Sequence, residues 1–156
     1  MRIAILSDTH GLLRPEVLPL LTGADHILHA GDTGTPDVLE AIRACAPLTA
    51  VRGNVDRGAW ASELPATALV ELGGLLFYLV HDLADLDLDP AAAGIHAVVY
   101  GHSHQPRAEL RGGVHYLNPG SAGPRRFSLP VTMMDAQIRD GLLSWRLVEL
   151  VPPAAR

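Results

Sequence analysis

The chain of 156 residues contains no lysine, and all 12 of its basic side chains are arginine. That absence excludes a P-loop, whose lysine must reach the phosphates. It also excludes lysine Schiff-base and pyridoxal phosphate chemistry. Cys45 is the single cysteine, which excludes an internal disulfide, a multi-cysteine zinc finger and an iron–sulfur cluster. No apolar run approaches the roughly 18 residues of a membrane span. A net charge of −5 and an isoelectric point near 5.8 argue against general nucleic-acid binding, which needs a basic face.

What is present is a 48 % hydrophobic composition with a mean hydropathy of +0.19. A chain of this length buries roughly 70 % of its unfolded surface, enough for one core. The opening stretch from Met1 is broken at Asp8 too early for a signal peptide. A cytoplasmic protein is therefore the expectation, with a single domain over residues 1–151 and a frayed tail at 152–156. Histidine is generous, at eight residues.

The first half reads strand–helix–strand–helix–strand. Apolar runs at Arg2–Ser7, His26–Ala30 and Pro47–Arg52 suit buried strands. Pro15–Leu21 and Pro36–Cys45 suit helices with proline in the first turn, Thr35 being the N-cap of the second. This alternation argues for parallel strands with helical crossovers, whose sites lie beyond the strands' carboxyl ends. The second half carries hairpin signals. Gly73-Gly74 joins Thr67–Leu72 to Leu75–Val80, a second Gly-Gly joins Arg107–Arg111 to Val114–Leu117, and Arg139-Asp140-Gly141 joins Pro130–Ala136 to Leu142–Leu150. Pro90–Gly94 is a short helix at best, and Ala97–Tyr100 a further strand. The second half is accordingly expected to be antiparallel, with hairpin edges that offer pairing between chains in a homo-oligomer.

Five polar clusters follow these strands: Asp8-Thr9-His10, Gly31-Asp32, Gly53-Asn54-Val55-Asp56, His81-Asp82 and Gly101-His102-Ser103-His104. Asp-x-His and His-x-His each put two donors on one turn, which suits a metal ion. Without thiolates, the donors favour Mn²⁺, Fe, Co²⁺, Ni²⁺ or Zn²⁺ over Cu(I). They are too numerous for one tetrahedral ion, whereas two ions sharing a carboxylate would use them. Such pairs clamp attacking and leaving oxygens in phosphoryl transfer.

The ordered series resembles the calcineurin-like metallophosphoesterases. With Asn118-Pro119-Gly120-Ser121, it is similar to their compact bacterial and archaeal phosphodiesterases. The resemblance implies an α/β fold, a four-layer α/β/β/α sandwich with two mixed β-sheets flanked by helices. It implies that Asp8, His10, Asp32 and His104 bind one metal, that Asp32 bridges, and that Asn54, His81 and His102 complete a second site. Asp32, Asn54 and His102 are then the catalytic residues. On the same resemblance the cofactors would be two divalent transition-metal ions, manganese first among them. A hydroxide held between them would be expected to attack a small phosphodiester in line.

Two positions depart from the family pattern. Many relatives have histidine after the Gly-Asn pair, where it protonates the leaving group; here Val55 stands there. That favours phosphodiesters, or esters with good leaving groups, over alkyl monoesters. Asp82 follows His81 where glycine is usual, so the loop beside that ligand differs. Other side chains keep two readings. His29 is a packed residue or a neighbour of the ligands. Asp56 and Asp82 either orient ligands as acceptors or lie at the surface. Arg57, Arg125 and Arg126 either hold a substrate phosphate or are solvated. His26, His96 and His115 read as loop or surface histidines, and Asn118–Ser121 as a structural turn near the site. A competing function is a protein-interaction scaffold on the same fold, as in the small retromer subunit, although the complete ligand series favours catalysis.

Overall fold

A computed structural model of the chain describes residues 1–152, so most of the expected tail lies outside the described residues. Two five-stranded sheets pack face to face. The first has the order β10-β9-β1-β2-β3, built from Leu142–Val151, Val131–Arg139, Arg2–Leu6, His26–His29 and Leu48–Ala50. The second has the order β4-β5-β6-β8-β7, from Thr67–Leu72, Leu75–Val80, Ala97–Val99, Val114–Asn118 and Arg107–Arg111.

Alternation along the central strands explains the layering. Ile3, Ile5, Phe77, Leu79, Met134 and Ala136 point into the shared core between the sheets. Their neighbours Ala4, Leu6 and Met133 point outward, beneath Val17, Leu21, Val38 and Ile42. Tyr78, Val80 and Val98 line the outer face of the second sheet. Both faces are covered, so these strands read as continuous apolar runs. Phe77 is fully buried, and truncating such a side chain to alanine costs about 3–5 kcal/mol.

The helices are shorter than expected from the sequence. Pro15–Leu21 divides into a 3-10 turn, Pro15–Val17, and one helical turn, α1 (Leu18–Leu21). Pro19 has no N–H to reach back to Pro15, so the segment tightens instead. Helix α2 spans Pro36–Arg43, and the Thr35 side chain makes no capping hydrogen bond. A third short helix, α3, spans Ala59–Ser62. Pro90–Gly94 forms turns anchored by the Asp89 carboxylate, which accepts from the Ala91 and Ala92 amides.

The purely antiparallel second half needs correction. The three hairpins form, but β5 pairs parallel with β6, and β6 parallel with β8. The β9–β10 hairpin joins the first sheet, through antiparallel pairing of β9 with β1. Turn signals specify only the partner next in sequence; sheet membership is a long-range choice. The consequence is functional: β1, β2 and β3 run parallel in one sheet and β5, β6 and β8 in the other. Six strand ends thereby meet the site's loops. Among the described residues, no helix is long and apolar enough to cross a membrane.

Candidate metal centre

The site is assembled where these strands stop. Beyond β1 and β2 the backbones remain locked: Asp8 N–H donates to Gly31 O at 3.0 Å, His10 N–H to Asp32 O at 2.9 Å and Gly11 N–H to Thr33 O at 2.8 Å. The loop after β3 approaches so closely that a Cβ on Gly53 would strike the Asp32 side chain and backbone nitrogen. Gly101 likewise passes against Ser7 and Asp8, a hypothetical Cβ there lying 2.6 Å from Asp8 Oδ2. These glycines are required by close approach between loops.

All seven sequence-derived ligand candidates fall into one connected cluster. Asp8 Oδ1 lies 3.7 Å from His10 Nε2, 3.5 Å from His104 Nε2 and 3.9 Å from His81 Nε2. Asp32 Oδ2 lies 3.5 Å from His10 Nε2 and 3.2 Å from His81 Nε2. Asn54 Oδ1 is 3.0 Å from His81 Nε2 and 3.2 Å from His102 Nδ1. Asp8, His10 and His104 form one group able to hold a cation; Asp8, Asp32 and His81 form another.

Their electrostatics suit divalent cations. Asp8 and Asp32 are both buried, and among the described residues their ion-pair partners are histidines. Asp8 Oδ1 is buried without a hydrogen-bond partner. A carboxylate oxygen left this way is costly unless a cation faces it. The Nδ1–H of His81 is matched to Ala30 O at 2.7 Å, which leaves the Nε2 lone pair aimed at Asp32 and Asn54. That second hydrogen bond fixes the tautomer as metal ligation requires. Burial opposes a charged His81, yet Asp32 and Asp8 outweigh it and raise its pKa. Burial also opposes ionisation of Asp32, but His81 and the Val55 amide lower its pKa overall. Burial, with Arg126 and His10, lowers the pKa of His104 despite Asp8.

The remaining candidates separate. His29 is fully buried and makes none of these contacts; its Nδ1 accepts from Gly31 N–H at 3.1 Å and its Nε2 faces Thr9 Oγ1 at 3.1 Å. Thr9 donates onward to Thr33 O at 3.0 Å. Burial pushes the His29 pKa down to about 4, so this bracket is neutral. Asp56 is buried and accepts from the Thr33, Gly34 and Gly53 amides, holding the turns around Asp32 and Asn54. Asp82 caps the turn after β5 by accepting from Ala84 N–H, and its other oxygen lies 3.6 Å from His102 Nε2. Arg57 is exposed. Arg125 turns to the Leu129, Val151 and Pro152 carbonyls, a structural role in place of the substrate contact considered from sequence. Arg126 is exposed and its charge reaches His104.

Sequence reasoning missed several supports. Ser7 donates to Asp8 Oδ2 at 2.8 Å. Ser121 Oγ donates to Asp8 O at 2.9 Å. Asn118 Nδ2 donates to Gly101 O and Ser103 Oγ, both at 3.1 Å. The Asn-Pro-Gly-Ser stretch was visible as a turn; its grip on the loops that carry Asp8 and Gly101–His104 is a tertiary feature.

Residues 1–141 match the calcineurin-like phosphoesterase superfamily domain. The chain belongs to that superfamily. It is 32 % identical over 146 residues to the "Probable metallophosphoesterase" of Methanothermobacter thermautotrophicus, covering 86 % of this chain and 84 % of that protein. Solved structures share the superfamily fold. Chaetomium thermophilum Vps29 has a TM-score of 0.78 at 17 % identity, covering 98 % of this chain and 100 % of its own. An archaeal phosphodiesterase has a TM-score of 0.73 at 21 % identity, covering 95 % and 100 %.

Proposed function

We propose that this superfamily member is a metal-dependent phosphodiesterase that holds two divalent ions, manganese being the first to test. The observation that carries the reading is the Asp8 carboxylate oxygen, buried without a hydrogen-bond donor among three imidazole nitrogens. Asp8, His10, Asp32 and His104 would hold one ion; Asp32, Asn54, His81 and His102 would hold the other. When bound, the ions supply Lewis acidity and neutralise charge on phosphoryl oxygens.

The chain's own groups do the rest. Asp32 Oδ2 lies between His10 and His81, one from each proposed set, which suits a shared ligand. Asn54 and His102 are the exposed members of the cluster and would meet the incoming diester. Asp82 beside His102 Nε2 would hold a proton there and leave Nδ1 free towards Asn54. Val55 offers no acid for the departing alkoxide, so diesters with good leaving groups should be preferred. A Val55→His variant should raise the monoester-to-diester rate ratio by at least about tenfold; an unchanged ratio removes this account of preference.

The likeness to Vps29 keeps a scaffold reading in view. Metal analysis and turnover of a chromogenic phosphodiester with added Mn²⁺ separate the two. The expected result is two bound ions and turnover, with both lost in Asp32→Ala. Two bound ions without turnover across divalent metals would favour the scaffold. Loss of metal from Asp32→Ala without loss of activity would refute the two-metal chemistry.

A further inference from the structure

A cavity of about 250 Å³ opens beside His102, between the loop after β6 and strand β7. The chemistry above uses only its His102–Asp82 edge and leaves the β7 side without a role. Its lining includes His102, Tyr100, Gln105, Arg107 and Arg111, with Asp82 as its one carboxylate. Asp82 is already engaged by Ala84 N–H and lies on the His102 side. The end formed by β7 is cationic. Arg107, Glu109 and Arg111 alternate along that strand and therefore share one face. Glu109 pairs with both arginines, which leaves one positive charge in excess. Arg111 is also held in place: its Nε donates to Glu109 Oε2 at 2.6 Å, and its guanidinium lies 4.7 Å above the Tyr116 ring. A guanidinium fixed in this way loses little freedom on binding a planar oxyanion. Tyr100 is 7 % exposed. Burial, helped by Glu109 and opposed more weakly by Arg107 and Arg111, raises its pKa, so its hydroxyl stays a donor.

We propose that this cavity is a subsite for a second oxyanion, a carboxylate or phosphate, carried on one substituent of the phosphodiester. The inference rests on reading the adjoining cluster as a phosphoester centre. It narrows the substrate class to diesters of an alcohol that itself bears an acidic group. Neutral isosteres would forfeit the charge-assisted bonds to the guanidiniums.

The test is calorimetric binding to the Mn²⁺-loaded protein. Phosphate anchors each probe at the metal centre and only the tail differs: carboxyethyl phosphate, ethylene glycol bisphosphate, and neutral carbamoylethyl phosphate. The acidic tails should bind about tenfold more tightly than the amide, and their ranking distinguishes a carboxylate from a phosphate subsite. Arg107→Gln and Arg111→Gln, both on exposed side chains of an edge strand, should each shrink that preference, and the double variant should abolish it. Equal affinity for acidic and amide tails overturns the subsite, as does a preference that survives the double variant. Turnover measured in parallel separates the two readings. Diester hydrolysis without tail preference removes the subsite alone. Tail preference without hydrolysis removes the phosphodiesterase reading alone. Failure of inorganic phosphate to bind removes both.

Discussion

The rim at the ends of the parallel strands and the hairpin turns use the same unusual backbone conformation for opposite purposes. Among the described residues, seven non-glycines have positive φ, and five are Asp8, His10, Asp32, His102 and His104. In the hairpin turns the same conformation falls mainly to glycine, at Gly73-Gly74, Gly112-Gly113 and Asp140-Gly141. A Cβ at Gly74, Gly112, Gly113 or Gly141 would meet nothing within 4 Å. A left-handed backbone costs a residue with a side chain roughly 1–2 kcal/mol. At the turns glycine avoids that cost. At the rim it is borne by aspartate and histidine, and backbone and side-chain hydrogen bonds hold the residues there. The difference teaches where this chain accepts strain: where donors must converge.

The largest expected effect comes from disturbing the rim without removing any candidate ligand. Gly53→Ala drives a methyl group into Asp32. Diester turnover and Mn²⁺ affinity should each fall about 100-fold, the upper range for support around a metal site. Circular dichroism should still report a folded protein. Normal metal affinity in this variant would show that the close approach of the β3 and β2 loops is incidental.

The second test concerns how the rim is braced. His29 has a folded pKa near 4 against about 6.5 in an unfolded chain. Above pH 6.5 both states are neutral there and the bracket contributes in full. As pH falls, the unfolded state takes up a proton that the folded state resists. Stability is therefore lost progressively until pH reaches about 4, to a limit of about 3 kcal/mol. Denaturant unfolding of chelated protein between pH 7 and pH 4 measures it. His29→Gln should be less stable at pH 7 and should lose less on acidification. Parallel pH dependences in the two proteins would contradict a neutral buried bracket.

The candidate ligands stood out in the sequence because each follows an apolar strand, and a polar donor there has few structural reasons to stand so regularly. The fold class was legible for a related reason, since βαβ alternation is written locally. The bracing was not. Ser7, Asn118 and Ser121 are ordinary small polar residues, and Ser121 acts on Asp8 across 113 positions. The parallel pairing of β5, β6 and β8 escaped for the same cause. Glycine pairs announce a hairpin, but nothing local says that β9 and β10 will leave for the other sheet.

Asn118 gives a smaller effect that separates bracing from simple packing. Its amide holds the Gly101 carbonyl and Ser103 hydroxyl, and its Oδ1 accepts from Gly120 N–H at 3.0 Å. Asn118→Ala strands these partners and should cost about 1–3 kcal/mol of stability. It should also lower kcat/KM for a chromogenic diester about tenfold. A stability loss without a kinetic loss would mean that the His102–His104 loop keeps its place unaided.

The smallest effect is expected at the other end of the comparison. Gly141 closes the β9–β10 turn at φ +74°, with open space around it. Gly141→Ala meets only the backbone cost, about 1 kcal/mol, which lowers Tm by roughly 2–4 °C in a chain of this size. Metal affinity and turnover should match the parent protein, because the turn makes no contact with the cluster. Gly53→Ala adds the same methyl group, so the pair of variants isolates position from chemistry. If Gly141→Ala impaired turnover as Gly53→Ala does, strain at the two ends would be coupled, and the division between a demanding rim and permissive turns would fail.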